Sequence, residues 1–303
     1  MPQAPDEVRI SIVTVCFNAV ATIERTLLSV AGQSHPLVEH LVIDGGSTDG
    51  TLEILMPWSS RLAHCVSGPD RGLYDAMNRG LALMRGQLVC MLNADDWFFS
   101  PDVCAAVAER YVELAASRGT GEPHYLALYG DFVMWWPQAH LMCKRRAAAG
   151  TRWGMRLNHQ SLFIHHDVHA ALGGYDLSCG LAADFEMVSR MEKAGVVFHY
   201  LPRPMTVFGK EGGSGDRRPF LFFWQVLAVQ RRYRGLTESI PLCAMGLRNL
   251  TGRLLLQWAR LLCGRSGEQR ILAWTLGAEP DSAILPPWYQ HPPRMSAQAG
   301  RQS

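Results

Sequence analysis

The chain has 303 residues, 48% apolar and 18% charged, with 29 Lys and Arg against 27 Asp and Glu for a formal net charge of +2. That apolar fraction suffices for a buried core and excludes global disorder, and the near balance of charge excludes nucleic-acid binding through bulk electrostatics. The eight cysteines contain no CxxC pair, which excludes a zinc ribbon or a dense disulfide framework and points to a reducing compartment. At roughly 100–200 residues per domain, the length sets one large domain or two modest ones. No basic stretch precedes an apolar run at the start, and no window approaches the ~18 apolar residues of a spanning helix, so a soluble, cytoplasmic protein is expected.

In chain order, Arg9–Val15 is β-branched and bounded by Asn18, which predicts a buried strand. Ile23, Leu27, Leu28 and Val30 recur at helical spacing, predicting a helix over Ala19–Gln33. His40–Ile43 reads as a second strand, and Ser47 or Thr48 as the N-cap of a short helix through Leu55. A short strand is expected at Leu62–Val66 and an amphipathic helix over Gly72–Arg85, stopped by Gly86. Leu88–Leu92 is an apolar strand running into Asn93-Ala94-Asp95-Asp96, after which Ser100-Pro101-Asp102 reads as the start of a helix to about Ala116. Strands at Tyr125–Val133 and Ser161–Ile164 and a helix over Leu181–Lys193 follow. Strand–helix alternation with short loops predicts an α/β fold, a mostly parallel, doubly wound sheet.

In such sheets ligands bind outside the carboxyl ends of the strands. Asp44 follows the second strand and Asp95-Asp96 the fourth. Adjacent carboxylates there either cap the turn before Trp97 or hold a hard divalent cation, Mg²⁺ or Mn²⁺. The Asp44–Thr51 loop is neither a GxGxxG fingerprint nor a P-loop, since it lacks the lysine. His159, His165, His166 and His169 lack a partnered ligand pattern such as HExxH, so the last three are expected to be solvated or structural.

Several strings recur together: VTVCFNA at Val13–Ala19, LVIDGGSTDGT at Leu41–Thr51, SGPDRGLYDAMNRG at Ser67–Gly80 and MLNADDWF within Met91–Phe99. They continue through NHQSLF at Asn158–Phe163, GGYD at Gly173–Asp176, AADFE with Asp184, and GGS at Gly212–Ser214. From about Arg9 to Gly215 this ordered set resembles the family 2 glycosyltransferases, which have the GT-A fold and use nucleotide-diphosphate sugars. The resemblance is greatest to the bacterial members that assemble exopolysaccharide, capsule or lipopolysaccharide.

The resemblance implies roles residue by residue. Thr14 and Phe17 line the nucleoside pocket, Asp44 bonds the base or ribose, and Asp70, Arg71 and Asn78 close over the nucleotide; Arg71 carries a guanidinium suited to phosphate. Asn93-Ala94-Asp95-Asp96 stands at the family's DxD position, with Asn93 in place of the first carboxylate. That leaves Asp95 and Asp96 as metal candidates for Mn²⁺ or Mg²⁺, with Asn93 and Asp95 on the donor. Asp184 matches the family's base in an inverting, SN2-like displacement. His159, beside Gln160, is placed against acceptor or phosphate. The alternatives are an inactive relative that binds glycan or scaffolds an assembly complex, and a sugar nucleotidyltransferase, whose glycine-rich basic N-terminal loop VTVCFNAVATIERT lacks.

Residues 1–215 are therefore expected to form the catalytic domain, with a nucleotide-sugar half over about 9–120 and an acceptor half over 121–215. Residues 216–276 form an Arg-rich helical extension, in which arginines from Arg217 to Arg270 are opposed only by Glu238 and Glu268 and interleaved with Phe, Trp and Leu. Basic residues beside aromatic faces suit either an anionic membrane surface or packing on the catalytic domain. Residues 277–303 are expected to be a loosely ordered tail.

Overall fold

The computed structural model describes residues 4–117, 125–136, 141–151, 155–209, 218–235, 279–280 and 284. The strands are β1 (Ile10–Cys16), β2 (Val38–Asp44), β3 (His64–Ser67), β4 (Leu88–Asn93), β5 (Trp97–Phe98), β6 (Leu126–Trp136), β7 (Leu141–Arg145), β8 (Leu162–His165), β9 (Val197–Gly209) and β10 (Glu279–Pro280). The helices are α1 (Ile23–Ala31), α2 (Thr51–Leu55), α3 (Leu73–Leu83), α4 (Val103–Ala116), α5 (His166–Leu172), α6 (Ala183–Lys193) and α7 (Pro219–Arg234). All strands share one sheet of order β10-β7-β6-β8-β4-β1-β2-β3, with β9 pairing β6 and β5. The β4-β1-β2-β3 half is wholly parallel, and β8 joins β4 antiparallel to begin the second half.

The parallel half is legible in composition because both its faces are covered. Every residue of β1 is buried, with Val13 and Val15 in the core that takes in Met77 of α3, and Ile10 and Ile12 in the core beneath α4. Two helix starts differ from expectation for the same reason, the diversion of the capping side chain. Ser47 turns back onto Asp44, so α2 starts at Thr51 after Gly50 in the left-handed region (φ 99°). The Ser100 hydroxyl, expected to cap the helix, donates to Asp102 Oδ1 (2.5 Å), and α4 begins only at Val103 with Asp102 at its N-cap. The 177–182 stretch is a short 3-10 run that delivers the chain into α6.

The described part of the 216–276 extension, α7, packs on α6 through Val226, Val229, Ala182 and Phe185. Of the 277–303 tail, the described residues are Glu279–Pro280, which adds antiparallel to β7, and Ile284, which is buried with Trp97, Met142 and Val207. The Gly212–Ser214 string lies outside the described residues. No helix among the described residues is long and apolar enough to cross a membrane.

Candidate active site

The carboxyl ends of β1, β2 and β4 deliver Phe17, Asp44 and Asn93 to one edge of the sheet. The loops after β1 and β2 are zipped together. Asn18, at φ 50°, accepts from the Thr48 amide on its Oδ1 (2.9 Å), and its own amide donates to Ser47 Oγ (2.8 Å). Asp44 holds this loop from inside. It is 1% exposed and accepts from the Gly46 and Ser47 amides and from the Ser47 and Ser67 hydroxyls. Burial works to raise its pKa, but those four donors outweigh burial and hold the carboxyl below its usual range. Its oxygens thus shape the loop at the place where the contact with base or ribose is expected.

Phe17, by contrast, stands 64% exposed at the loop mouth. Between it and Asp70 lies Gly45, where a Cβ would come within 2.6 Å of Asp70 Oδ2 and 3.4 Å of the Phe17 ring. Only glycine leaves that slot open. Thr14, expected in the pocket wall, is fully buried within β1, where its hydroxyl shares a 2.9 Å hydrogen bond with His40 Nε2. Arg71 projects its guanidinium outward, 77% exposed, while pairing with Asp75 at 2.7 Å. The Asn78 amide donates to the Tyr175 carbonyl (2.9 Å) and accepts from the Tyr175 amide (2.7 Å), tying α3 to the Gly173–Tyr175 turn.

The acidic turn is gripped by α1. Arg25 donates to the Asp95 carbonyl (3.1 Å) and Thr26 to the Asp96 carbonyl (2.7 Å), while the Arg25 guanidinium lies 4.0 Å over Trp97 and 4.8 Å over Trp135. Asp95 is half-buried, and burial raises its carboxyl above the ordinary range against the opposing charges of Arg25 and His159. Asp96 points the other way. It is 0% exposed, with Oδ1 accepting from the Gly209 amide (2.9 Å) and Oδ2 from Gln160 Nε2 (2.7 Å). Asp96 and Gln160, expected as metal ligand and acceptor contact, hold each other beneath the surface, and Asp95 is the carboxylate of the pair that is partly exposed. Beside Asp95, Asn93 Oδ1 is buried without a hydrogen-bond partner among the described residues. A half-buried carboxylate next to an unsatisfied amide oxygen is a hard-oxygen donor set, and it fits a divalent cation.

Asp184 opens α6 and is joined to the acidic turn through Asn158–Ser161. Asn158 caps its own turn by accepting from the Gln160 amide (3.2 Å). From that turn His159 Nδ1 lies 3.4 Å from Asp184 Oδ2 while its neighbour Gln160 holds Asp96. His159 Nε2 is buried and without a partner among the described residues. Tyr74 and Arg25 are site residues the sequence reading did not single out. The Tyr74 hydroxyl donates to the Leu181 carbonyl (3.3 Å), and burial together with the adjacent Asp184 charge pushes its phenol well up. Tyr74 stands within the quoted SGPDRGLYDAMNRG string, so the signal was present; Arg25 gave none, because it acts through tertiary contacts alone. Away from this site, His165, His166 and Asp167 bring ligand atoms within 4.8 Å of one another, a clustering the motif search had set aside, but they are bonded among themselves and to Tyr111.

Residues 11–117 match the family model described as Glycosyl transferase family 2. An uncharacterized glycosyltransferase of Mycobacterium tuberculosis is 35% identical over 235 residues, covering 70% of this chain and 86% of the relative. A PGL/p-HBAD biosynthesis glycosyltransferase of Mycobacterium bovis is 29% identical over 221 residues, 68% of this chain and 78% of that one. Among solved structures, a mannosyltransferase of Pyrobaculum calidifontis in complex with GDP-Man and Mn²⁺ superposes with a TM-score of 0.56 at 20% identity, over 91% of this chain and 78% of its own.

Proposed function

This chain belongs to glycosyl transferase family 2, with the GT-A fold, and on that premise we propose that it moves a sugar from a nucleotide-diphosphate donor to a hydroxyl of a glycan or lipid-linked glycan, with inversion, in surface polysaccharide assembly. The observation that carries this reading is the link between the two acidic turns: one short segment, Asn158–Ser161, touches Asp184 with His159 and Asp96 with Gln160. In this reading the segment holds a donor side and a proton-accepting side relative to each other. The M. bovis relative, named for PGL/p-HBAD biosynthesis, supports a biosynthetic role, and the Pyrobaculum neighbour's complex with GDP-Man and Mn²⁺ supports a nucleotide-sugar donor and a divalent cation.

In this reading the nucleoside enters the slot between Phe17 and Asp70 over Gly45, and Arg71 meets the diphosphate. Asp95, with Asn93 beside it, holds Mn²⁺ or Mg²⁺, which when bound neutralises charge on the departing diphosphate. Asp184 takes the proton of the acceptor hydroxyl as its oxygen bonds to the anomeric carbon and the carbon–phosphate-oxygen bond breaks on the opposite face. His159, donating from Nδ1, keeps the Asp184 carboxylate turned to the acceptor.

The test combines two variants and two readouts. Donor binding is followed by thermal shift with UDP, GDP, dTDP and their sugars, with and without Mn²⁺; saturation at a hundred times the dissociation constant adds about 2.7 kcal/mol. Asp184→Asn is expected to keep the donor shift and lose transfer by roughly 10²-fold or more. Asp95→Ala is expected to lose the metal-dependent part of the shift. Transfer by Asp184→Asn at the wild-type rate would overturn the assignment of the base.

A further inference from the structure

The solvent side of α7 is unlike the outside of an ordinary surface helix. Phe220 and Trp224 are each 64% exposed and Leu221 43% exposed. They fall with Ala228 and Arg231 at a spacing of three and four residues, a single stripe along the helix. The opposite side, through Val226, Val229 and Gln230, is buried against the catalytic domain. The apolar outer stripe is therefore not a failed core face, since the core face of this helix is already in use.

Charge defines what the stripe fits. Arg218 at one end and Arg231 at the other are exposed, and among the described residues neither has a carboxylate partner. No acidic residue occurs from Arg217 through Thr237, and the sequence continues with Arg248, Arg253 and Arg260 beside Leu254–Leu256, Trp258 and Leu261. Interfacial aromatics flanked by exposed arginines complement an anionic, apolar surface and not a polar protein rim. The helix is also held firmly to the base-bearing segment. Gln225 Oε1 accepts from the Leu181 amide at 2.9 Å and Arg232 pairs with Asp176 at 3.2 Å, both on the run that leads into Asp184.

We propose that the outer stripe of α7, Phe220, Leu221 and Trp224 with Arg218 and Arg231, is a docking surface for an anionic lipid bilayer, fixing the Asp184 side of the enzyme to the membrane. The proposal goes beyond the transfer reaction and stands apart from it, because binding to lipid requires neither donor nor turnover.

The full chain is sedimented with vesicles of phosphatidylcholine alone and of phosphatidylcholine containing about 30% phosphatidylglycerol, alongside a Phe220→Ser/Trp224→Ser variant. Both substituted side chains are mostly exposed, and the melting temperature of the variant checks that it folds. Wild type is expected to bind the anionic vesicles about tenfold or more better than the neutral ones, with the advantage shrinking between about 0.1 M and about 0.5 M NaCl. The double variant is expected to lose most of that binding, and quenching by brominated phosphatidylglycerol is expected to weaken in Trp224→Phe. Three results would overturn the proposal: equal binding to neutral and anionic vesicles, an unaltered double variant, or a double variant that changes from dimer to monomer in solution. The last would give the stripe to a second copy of the chain. Each of these outcomes leaves the glycosyltransferase reading intact, whereas loss of donor binding and transfer with lipid binding preserved would strike that reading alone.

Discussion

Asp95 and Asp96 are adjacent, yet their surroundings separate them completely. Asp95 faces the site beside Asn93; Asp96 is sealed beneath it between Gln160 and Gly209. Burial first, and then the neighbouring charge of Asp95, push the Asp96 carboxyl well above its usual range. A neutral side chain at 96 suits the geometry. Gln160 Oε1 is buried without a partner among the described residues, so turning its amide lets it accept from a donor at position 96. Asp96→Asn is therefore expected to stay within about 1 kcal/mol of wild type and to keep transfer activity, whereas Asp96→Ala strands the Gly209 amide and the Gln160 side chain at a cost of about 2–5 kcal/mol. Urea unfolding of the two variants checks this, and equal damage in both would show that the charge itself is required. The sequence string named both carboxylates as candidates and could not divide them, because Gln160 and Gly209 lie far along the chain. The same holds for Thr14, Asp44 and Asn78: their residue types suit a nucleotide site, and the partners that hold them, His40, Ser67 and Tyr175, meet them only after folding.

At the scale of elements, the parallel strands were readable because burial on two faces leaves an apolar run with no polar interruption. Strand β9 was not. Pro202 and Pro204 argue against a strand by sequence, and the structure accommodates them where the β6–β9 register shifts, from Gly130↔Leu201 to Asp131↔Pro204. Helix α3 was readable in its period, but not in how closely it lies on the sheet. A Cβ at Gly80 would come 2.2 Å from Val13 Cγ1 on β1. Helix propensity alone makes Gly→Ala favourable by about 1 kcal/mol, while forcing a methyl into a closed core costs typically about 1–3 kcal/mol. At this separation from a strand side chain the clash is expected to win, so Gly80→Ala is expected to destabilise the fold by about 1–2 kcal/mol net. Denaturant midpoints measure the sign directly. A more stable variant would mean that α3 can lift off β1 without loss.

Among the described residues, two buried imidazoles, one in each half, make the fold sensitive to acid, beside depressed carboxylates such as Asp44 and Asp75. His40 on β2 is held down to about 3 and His169 on α5 to about 4, in both cases chiefly by burial. Both rings stay neutral in the native state, while in the unfolded chain they take up protons below about pH 6.5. The unfolded state then binds more protons, so stability is present above that pH and is lost as pH falls, by about 1.4 kcal/mol per unit for each ring, until the folded values are reached. Asp95 and Asp96, with raised values, act in the opposite direction, because the native state protonates them first as the pH drops. The net slope therefore mixes opposing contributions, and a difference between two proteins separates them. Unfolding free energies of wild type and His40→Gln, measured between about pH 6 and about pH 4, are expected to diverge in slope by about 1.4 kcal/mol per unit, wild type being the steeper. Coincident slopes would mean that His40 charges without unfolding. With the expected divergence, loss of transfer in acid would follow the cooperative opening of the sheet around His40, and the pH at which activity fails would move with the stability of the fold.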